Sequence, residues 1–478
     1  MNDCEGFQQR LAETLDALYP SLEQTLIRLI SFPTVKGTPA PGQPFGRDLA
    51  EALDFCLRLA ASWGFSVYNV DGYCGVIDWP GENSALAQQA GVGVLGHIDV
   101  VPAAAADWRH SPWQARVEDG NLYGRGATDD KGPTLACLFA MKALADMGLR
   151  PPQTVRLIIG LDEENGFRCI QHYLQDYPPP KMGFVPDARF PLVCGEKGII
   201  HWRFTARWQD SAGPQPRLLS ADGGEASNII PAKARARFVS GPHVRETLAA
   251  LIGRHPQKDR FSLAEAGGET VLTAFGKAAH ASMPERGVNA IALLFSLLAS
   301  GDFAPAGASR FLATAARLYA DDKYGATLGI QDGDSECTLT ASPTLLHMDG
   351  GGASVTTDCR FPVRQRSGFY KKKLQQLAEA EALEIEDFAA KEPMYTSEDS
   401  PLAQTLLSIY RRHTGDDSPG LIIGGGTFAR AIDNFLAFGP ESPHTDFRVH
   451  QNDEYIPCAV LRQLSLIYGE AIWELANL

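Results

Sequence analysis

Leu122-Tyr123-Gly124-Arg125-Gly126-Ala127-Thr128-Asp129-Asp130-Lys131-Gly132-Pro133 sets the reading of the whole chain. Glycines hinge this stretch, two carboxylates stand side by side in it, and an apolar helix is predicted to follow over about residues 134–147. Neighbouring acids are costly to bury unless a cation lies among them. Asp129 therefore reads as a bridge between two metal ions. The remaining ligands are sought along the rest of the chain.

The 478 residues allow two or three domains with well-buried cores. A net charge of −14 and a pI near 5.3 argue against a nucleic-acid partner or an anionic membrane, since either calls for a basic face. Nine cysteines, an odd number with no Cys-x-x-Cys pair, disfavour a disulfide framework and a thiolate zinc site. Met1-Asn2-Asp3-Cys4-Glu5 lacks the basic-then-apolar order of a signal peptide. No apolar run reaches the roughly 20 residues of a membrane span. A cytoplasmic location is the expectation.

Leucines 15, 18, 22, 26 and 29 recur at helical spacing, so residues 11–30 read as a helix. A second helix is predicted over 47–63, with Gly64 as its C-cap. Strands are predicted over 66–70, 76–78, 92–101 and 154–160, and helices between such strands point to a mostly parallel α/β sheet. Sites in such sheets gather beyond the carboxyl ends of the strands. From Gly198 the texture becomes strand-rich, with two helices near 243–254 and 289–299. After residues 391–401 it returns to helix (402–413), a Gly424-Gly425-Gly426 turn and a last helix from Pro457. The expected domains are a catalytic one over 1–197 and 393–478 and an inserted α+β one over 198–392. The insertion is long enough for two related halves.

His97 and Asp99 lie two apart on a predicted strand and so share a face, where Asp99 can fix the imidazole tautomer. Alone, His-x-Asp describes a buried hydrogen-bonded histidine as well as a ligand. Glu163-Glu164 follows a buried strand, a place suited to one metal ligand and one general base, or to a solvated acidic loop. Asp187 follows a short apolar stretch. His450 precedes a segment read as a helix start, and His444 is its rival. Together these make a dinuclear set of imidazole and carboxylate donors.

Gly96-His97-Ile98-Asp99-Val100-Val101-Pro102, the 122–132 stretch, Asp162-Glu163-Glu164 and the His450 segment resemble the dinuclear zinc aminoacylases and exopeptidases that include carnosinases, desuccinylases and glutamate carboxypeptidases. The long insertion, residues 186–191, Gly195-Glu196-Lys197-Gly198 and Gly424–Thr427 resemble the PepV-like, Xaa-His or β-Ala-Xaa dipeptidase branch. The segment Asp332-Gly333-Asp334-Ser335 departs from that pattern.

The resemblance implies a dinuclear-metal peptidase catalytic domain with an inserted α+β lid. It implies that Asp129 bridges two divalent ions, with Zn²⁺ expected and Mn²⁺ or Co²⁺ as alternatives. His97 and Asp187 would complete one site, and Glu164 and His450 the other. Glu163 would be the general base, Asp99 the support of His97, and the Asp129–Asp130 bond cis. From the lid, His280 would steady the tetrahedral intermediate. Asn228, Arg360 and the turn with Gly425, Gly426 and Thr427 would hold the substrate carboxylate. The implied reaction is amide hydrolysis of dipeptides or other short peptides with a free C-terminal carboxylate, by a monomer rather than a homodimer. An N-acyl amino acid deacylase is the alternative, and a non-catalytic metal-binding homologue is a third reading.

Overall fold

The helix after the Asp129-Asp130 pair is apolar on every side and buried on every side. It spans Lys131–Asp146, with Lys131 to Met141, Ala143 and Leu144 all buried, as an all-round apolar helix requires. It starts at Lys131 rather than Thr134, because Pro133 falls in the first turn, where its missing N–H removes no hydrogen bond. The helices Asn2–Ile30 and Cys458–Ala476 pack against it. This computed structural model describes residues 2–82, 89–209, 213–319, 322–334, 337–442 and 445–478; His444 and Ser335 lie outside the described residues.

The chain forms two compact units. The first is Met1–Cys194, Thr396–Leu421 and Gly426–Leu478; the second is Gly195–Tyr395 and Ile422–Gly425. In the first, four parallel strands run in the order Val155–Gly160, Val92–His97, Met182–Val185, Phe435–Ala437. Antiparallel strands Cys74–Trp79 and Ser66–Val70 extend one side, and Val193 pairs antiparallel with Ala437 on the other. The two central strands are buried along their whole length, which explains their unbroken apolar runs.

Two expectations change here. The strand expected to reach Val101 ends at His97, because the next residues leave the ladder. Val100 N–H donates to Thr34 O (3.1 Å), and the Thr34 hydroxyl donates to Ile98 O (2.6 Å). Asp99 is therefore in a loop, and strand alternation does not set its direction. His450 is not at a helix start either. It sits in a turn at φ +61°, between Arg448 and Asp453, which also have positive φ. The chain then enters the strand Tyr455–Pro457, paired with Asn121–Tyr123, and the helix begins at Cys458.

The second unit is built on one eight-stranded antiparallel sheet. From its centre outward, one half runs Leu218–Gly223, Lys233–Val239, Glu269–Phe275, Phe261–Ala266. The other runs Thr340–Met348, Gly352–Phe361, Gly198–Arg207, Glu384–Lys391. Each half carries a helix between its second strand and its outermost one: Pro242–Arg254 and Ser367–Ala380. Ala290–Leu298 and Ala306–Tyr319 bring the described helices to four rather than two. The two unexpected ones hide their apolar stripe, one among small residues and the other beside the Lys371–Lys373 run. Trp202, Phe204, Phe238, Phe295 and Phe311 belong to a single core under the whole sheet. Among the described residues, no helix is long and apolar enough to cross a membrane.

Leu138→Ala removes a fully buried side chain from the central helix of the first unit. It is expected to cost about 2–5 kcal/mol, read as a lower urea midpoint in equilibrium unfolding.

Candidate metal centre

Three carboxylates and two imidazoles converge where the parallel strands end. His97 closes its strand, Glu164 follows Val155–Gly160, Asp187 follows Met182–Val185, Asp129 precedes the central helix, and His450 comes from the turn described above. His97 Nε2 lies 3.2 Å from Asp129 Oδ1 and 3.5 Å from Asp187 Oδ2. His450 Nε2 lies 2.8 Å from Asp129 Oδ2 and 3.0 Å from Glu164 Oε1. The two oxygens of one carboxylate thus face two different donor groups, His97–Asp129–Asp187 and Asp129–Glu164–His450. The donor atoms of each group lie within 4.8 Å of one another. The Asp129–Asp130 peptide bond is cis.

The donor chemistry fits divalent ions. His97 Nδ1 is 3.0 Å from the Asp99 carbonyl oxygen. A carbonyl only accepts, so Nδ1 carries the hydrogen of the neutral ring and Nε2 keeps a lone pair. That Nε2 is buried and makes no hydrogen bond, although two carboxylate oxygens stand near it. A lone pair facing carboxylates is stable only with a cation between them.

The electrostatics agree. Burial pushes Glu163, Glu164 and Asp187 above the ordinary carboxylate range, and neighbouring carboxylates add to it. Burial opposes charge on the imidazoles, yet the surrounding carboxylates lift His97 well above its usual value and His450 to about 11. Asp129 goes the other way: burial would raise it, but His450 and His97 together hold it low. The carboxylates thus call for positive charge beside Asp129, which a bound cation would supply to neutral imidazole ligands.

Asp99 does more than was expected of it. Its carboxylate is 3.4 Å from His97 Nδ1, farther than its own carbonyl. Oδ1 accepts from Glu163 N–H and Oδ2 from Glu164 N–H, both at 3.1 Å. One buried side chain thus holds the loop that carries both glutamates. Asp162, just before them, is anchored by Lys36 (3.1 Å) and Arg168 (2.9 Å).

Three acids beside the cluster escaped the sequence reading. Asp130 Oδ2 accepts from His97 N–H (3.2 Å) and the Thr134 hydroxyl (2.8 Å). Glu454 is fully buried and hydrogen-bonded to the 125–129 loop. Glu441 lies on a strand paired with Ala188–Arg189; burial raises it, and Asp187 and Asp129 raise it further. The first two stood in acidic runs already singled out, but a run does not say which member turns inward. Nothing in the sequence marks Glu441.

The residues expected from the lid fall in the second unit, except Gly426 and Thr427, which belong to the first. Asn228 and His280 are neighbours on a short ladder: Ile229 pairs with His280, and Ala281 N–H donates to Asn228 O. Arg360 is buried. Its Nε and Nη2 grip Asp358 (2.8 and 2.7 Å), and Nη1 donates to Gly424 O (3.0 Å). A Cβ on Gly425 would meet nothing within 4 Å, whereas one on Gly426 would come within 3.3 Å of the Arg430 guanidinium. The Thr427 hydroxyl caps Phe428–Ala431, accepting from Ala429 N–H.

An α/β sheet whose strand ends gather two donor groups around one shared carboxylate defines a metallohydrolase. Residues 93–474 match the model of peptidase family M20/M25/M40, and the chain belongs to that family of metallopeptidases. A Bacillus subtilis (strain 168) protein named “Putative dipeptidase YtjP” is 35% identical over 447 residues, 92% of this chain and 93% of that one. The “Beta-Ala-Xaa dipeptidase” of Lactobacillus delbrueckii subsp. lactis is 30% identical over 480 residues, covering 99% and 98%. The aminoacylhistidine dipeptidase of Vibrio alginolyticus shares the fold at TM-score 0.58 and 16% identity, with 96% of each chain covered.

Asp99→Asn turns one of the two acceptors of the Glu163 and Glu164 amides into an NH₂ group. Zn²⁺ affinity measured by titration calorimetry is expected to fall about 10–100-fold.

Proposed function

We propose that this metallopeptidase hydrolyses dipeptides and other short peptides with a free C-terminal carboxylate. The observation that carries the reading is the Asp129 carboxylate, shared between two complete donor groups beside a half-buried glutamate, Glu163, that belongs to neither. The names of the two relatives above support the substrate class. His97, Asp187 and Asp129 would hold one ion, and Asp129, Glu164 and His450 the other. Zn²⁺ is the proposed ion, and Mn²⁺ and Co²⁺ suit the same donors. When bound, such a pair lowers the pKa of water and polarises a carbonyl.

Glu163 takes the proton of the attacking water and hands it to the leaving amine. Burial has already raised its pKa toward the range such a base needs. His280 steadies the oxyanion. Ser282 N–H donates to His280 Nδ1 (3.2 Å), so the neutral ring carries its hydrogen on Nε2. Burial, aided by Arg360, lowers the His280 pKa and keeps the ring neutral. One such donor is worth about 3–4 kcal/mol. Arg360 has three of its five N–H groups engaged, and the other two remain for a carboxylate. Asn228 and the backbone N–H groups of Gly425 and Gly426 join it.

The second unit is proposed as the lid. Its two-halved sheet within one chain supports action as a monomer, which a 51.8 kDa particle in light scattering would bear out. Eight free cysteines among the described residues support a cytoplasmic location.

Glu163→Ala is expected to reduce turnover at least about 100-fold while two metal ions per chain remain by elemental analysis. Retained turnover would exclude it as the base. Free dipeptides are expected to be cleaved and their N-acetylated forms spared; the reverse order would assign the chain to N-acyl amino acids.

A further inference from the structure

We propose that Glu454 is a positioning residue that locks the Asp129 loop to the His450 loop, so that the Asp129–Glu164–His450 cation position depends on it. The inference rests on the metal assignment of the preceding subsection and concerns a residue with no ligand role there.

The Glu454 side chain is fully buried, and its carboxylate accepts four hydrogen bonds. Oε2 takes Arg125 Nη1 (2.7 Å) and Gly126 N–H (3.1 Å). Oε1 takes Thr128 N–H (3.0 Å) and Asp129 N–H (3.2 Å). The last is the amide of the bridging residue itself. Main-chain contacts add to this grip: Gly124 N–H donates to Glu454 O (3.0 Å), and the Thr128 hydroxyl donates to Tyr455 O (2.8 Å). Each buried amide left without an acceptor would cost about 1–3 kcal/mol, so the 126–129 backbone holds this path only around such a carboxylate.

The other end of the connection is equally built. Glu454 follows His450 by four residues, and the intervening segment is pinned by Asp453. That residue accepts from Arg109 N–H (2.8 Å) and pairs with Arg448 (3.3 Å). Asp129 and His450 therefore meet at 2.8 Å because one acidic side chain stitches their loops together. His97 ends one parallel strand and Asp187 follows its neighbour, so the first cation position touches the Glu454 grip only through the shared Asp129, whereas the second depends on it through both Asp129 and His450. The two cation positions should therefore respond differently to the loss of this carboxylate.

A glutamine at 454 has the same shape but one accepting oxygen. Its NH₂ would face either the Arg125–Gly126 pair or the Thr128–Asp129 pair, donor against donor.

The test uses the full chain loaded with Mn²⁺, read by titration and by electron paramagnetic resonance. The unaltered protein is expected to bind two ions and give an exchange-coupled spectrum; failure to bind two would sink the metal assignment itself. Glu454→Gln is expected to keep the first ion and weaken the second about 10–100-fold, giving the spectrum of isolated Mn²⁺. Arg125→Met leaves the three amide bonds in place and is expected to weaken the second ion about threefold to tenfold. Equal weakening of both ions in Glu454→Gln, or unchanged second-ion affinity in that variant, overturns the proposal. Should Glu454→Gln fail to fold, Arg125→Met decides alone, and an unchanged second-ion affinity there overturns it.

Discussion

The metal-site end of the first unit is arranged around one shared carboxylate. Asp129 presents Oδ1 to one imidazole and Oδ2 to another, and each imidazole brings a further carboxylate with it. Such a cluster is electrostatically unstable unless cations neutralise it, so the fold must hold it against its own repulsion. It does so with rigid supports. The central helix, buried on every side, fixes the backbone that follows Asp129. Neighbouring parallel strands inside the sheet deliver His97, the Glu163–Glu164 loop and Asp187 at their carboxyl ends. Asp99 and Asp162 pin the loop between them.

Around this centre the four acids with proposed chemistry, Asp129, Glu163, Glu164 and Asp187, are matched by four with none. Asp99, Asp130, Asp162 and Glu454 each hold backbone amides or side-chain donors and fix a neighbour in place. A carboxylate suits this work because it accepts at two oxygens, each in more than one direction. The arrangement also explains why so much negative charge is tolerated in a confined space: most of it already meets N–H groups.

His97, Asp129, Glu164 and Asp187, the proposed ligands, stood out in the sequence because each lies where an apolar strand ends or an apolar helix begins, where such residues are otherwise rare. The α/β class was legible for the same reason, from unbroken apolar runs alternating with helical spacing. What stayed hidden depends on contacts distant in the chain. The turn at His450 is stabilised through Arg109, over 300 residues earlier, so the polar run after it looked like a helix start. The strand through His97 ends early because Thr34 draws its backbone away. Glu441 is set beside the cluster only by pairing with Ala188–Arg189. The helix Ala306–Tyr319 buries Phe311, Leu312, Leu318 and Tyr319, but Gly307, Ala308 and Ala315 fill the rest of its buried stripe and blur the spacing.

The sheet of the second unit has an interleaved construction. Strand Gly198–Arg207 sits within the later half yet precedes the earlier half in the chain, and it pairs with the last strand, Ile199 against Lys391. The points where the chain enters and leaves this unit are therefore side by side. An insertion whose ends already touch adds little closure entropy to the host, however long it is. The same interleaving leaves the later half in two pieces of sequence, with the contiguous earlier half, residues 218–275, enclosed between them. Either half taken alone would bare a strand edge at the middle of the sheet, where Ala221 pairs with Met348 and Gly223 with Leu346, so each half is the other's edge protection.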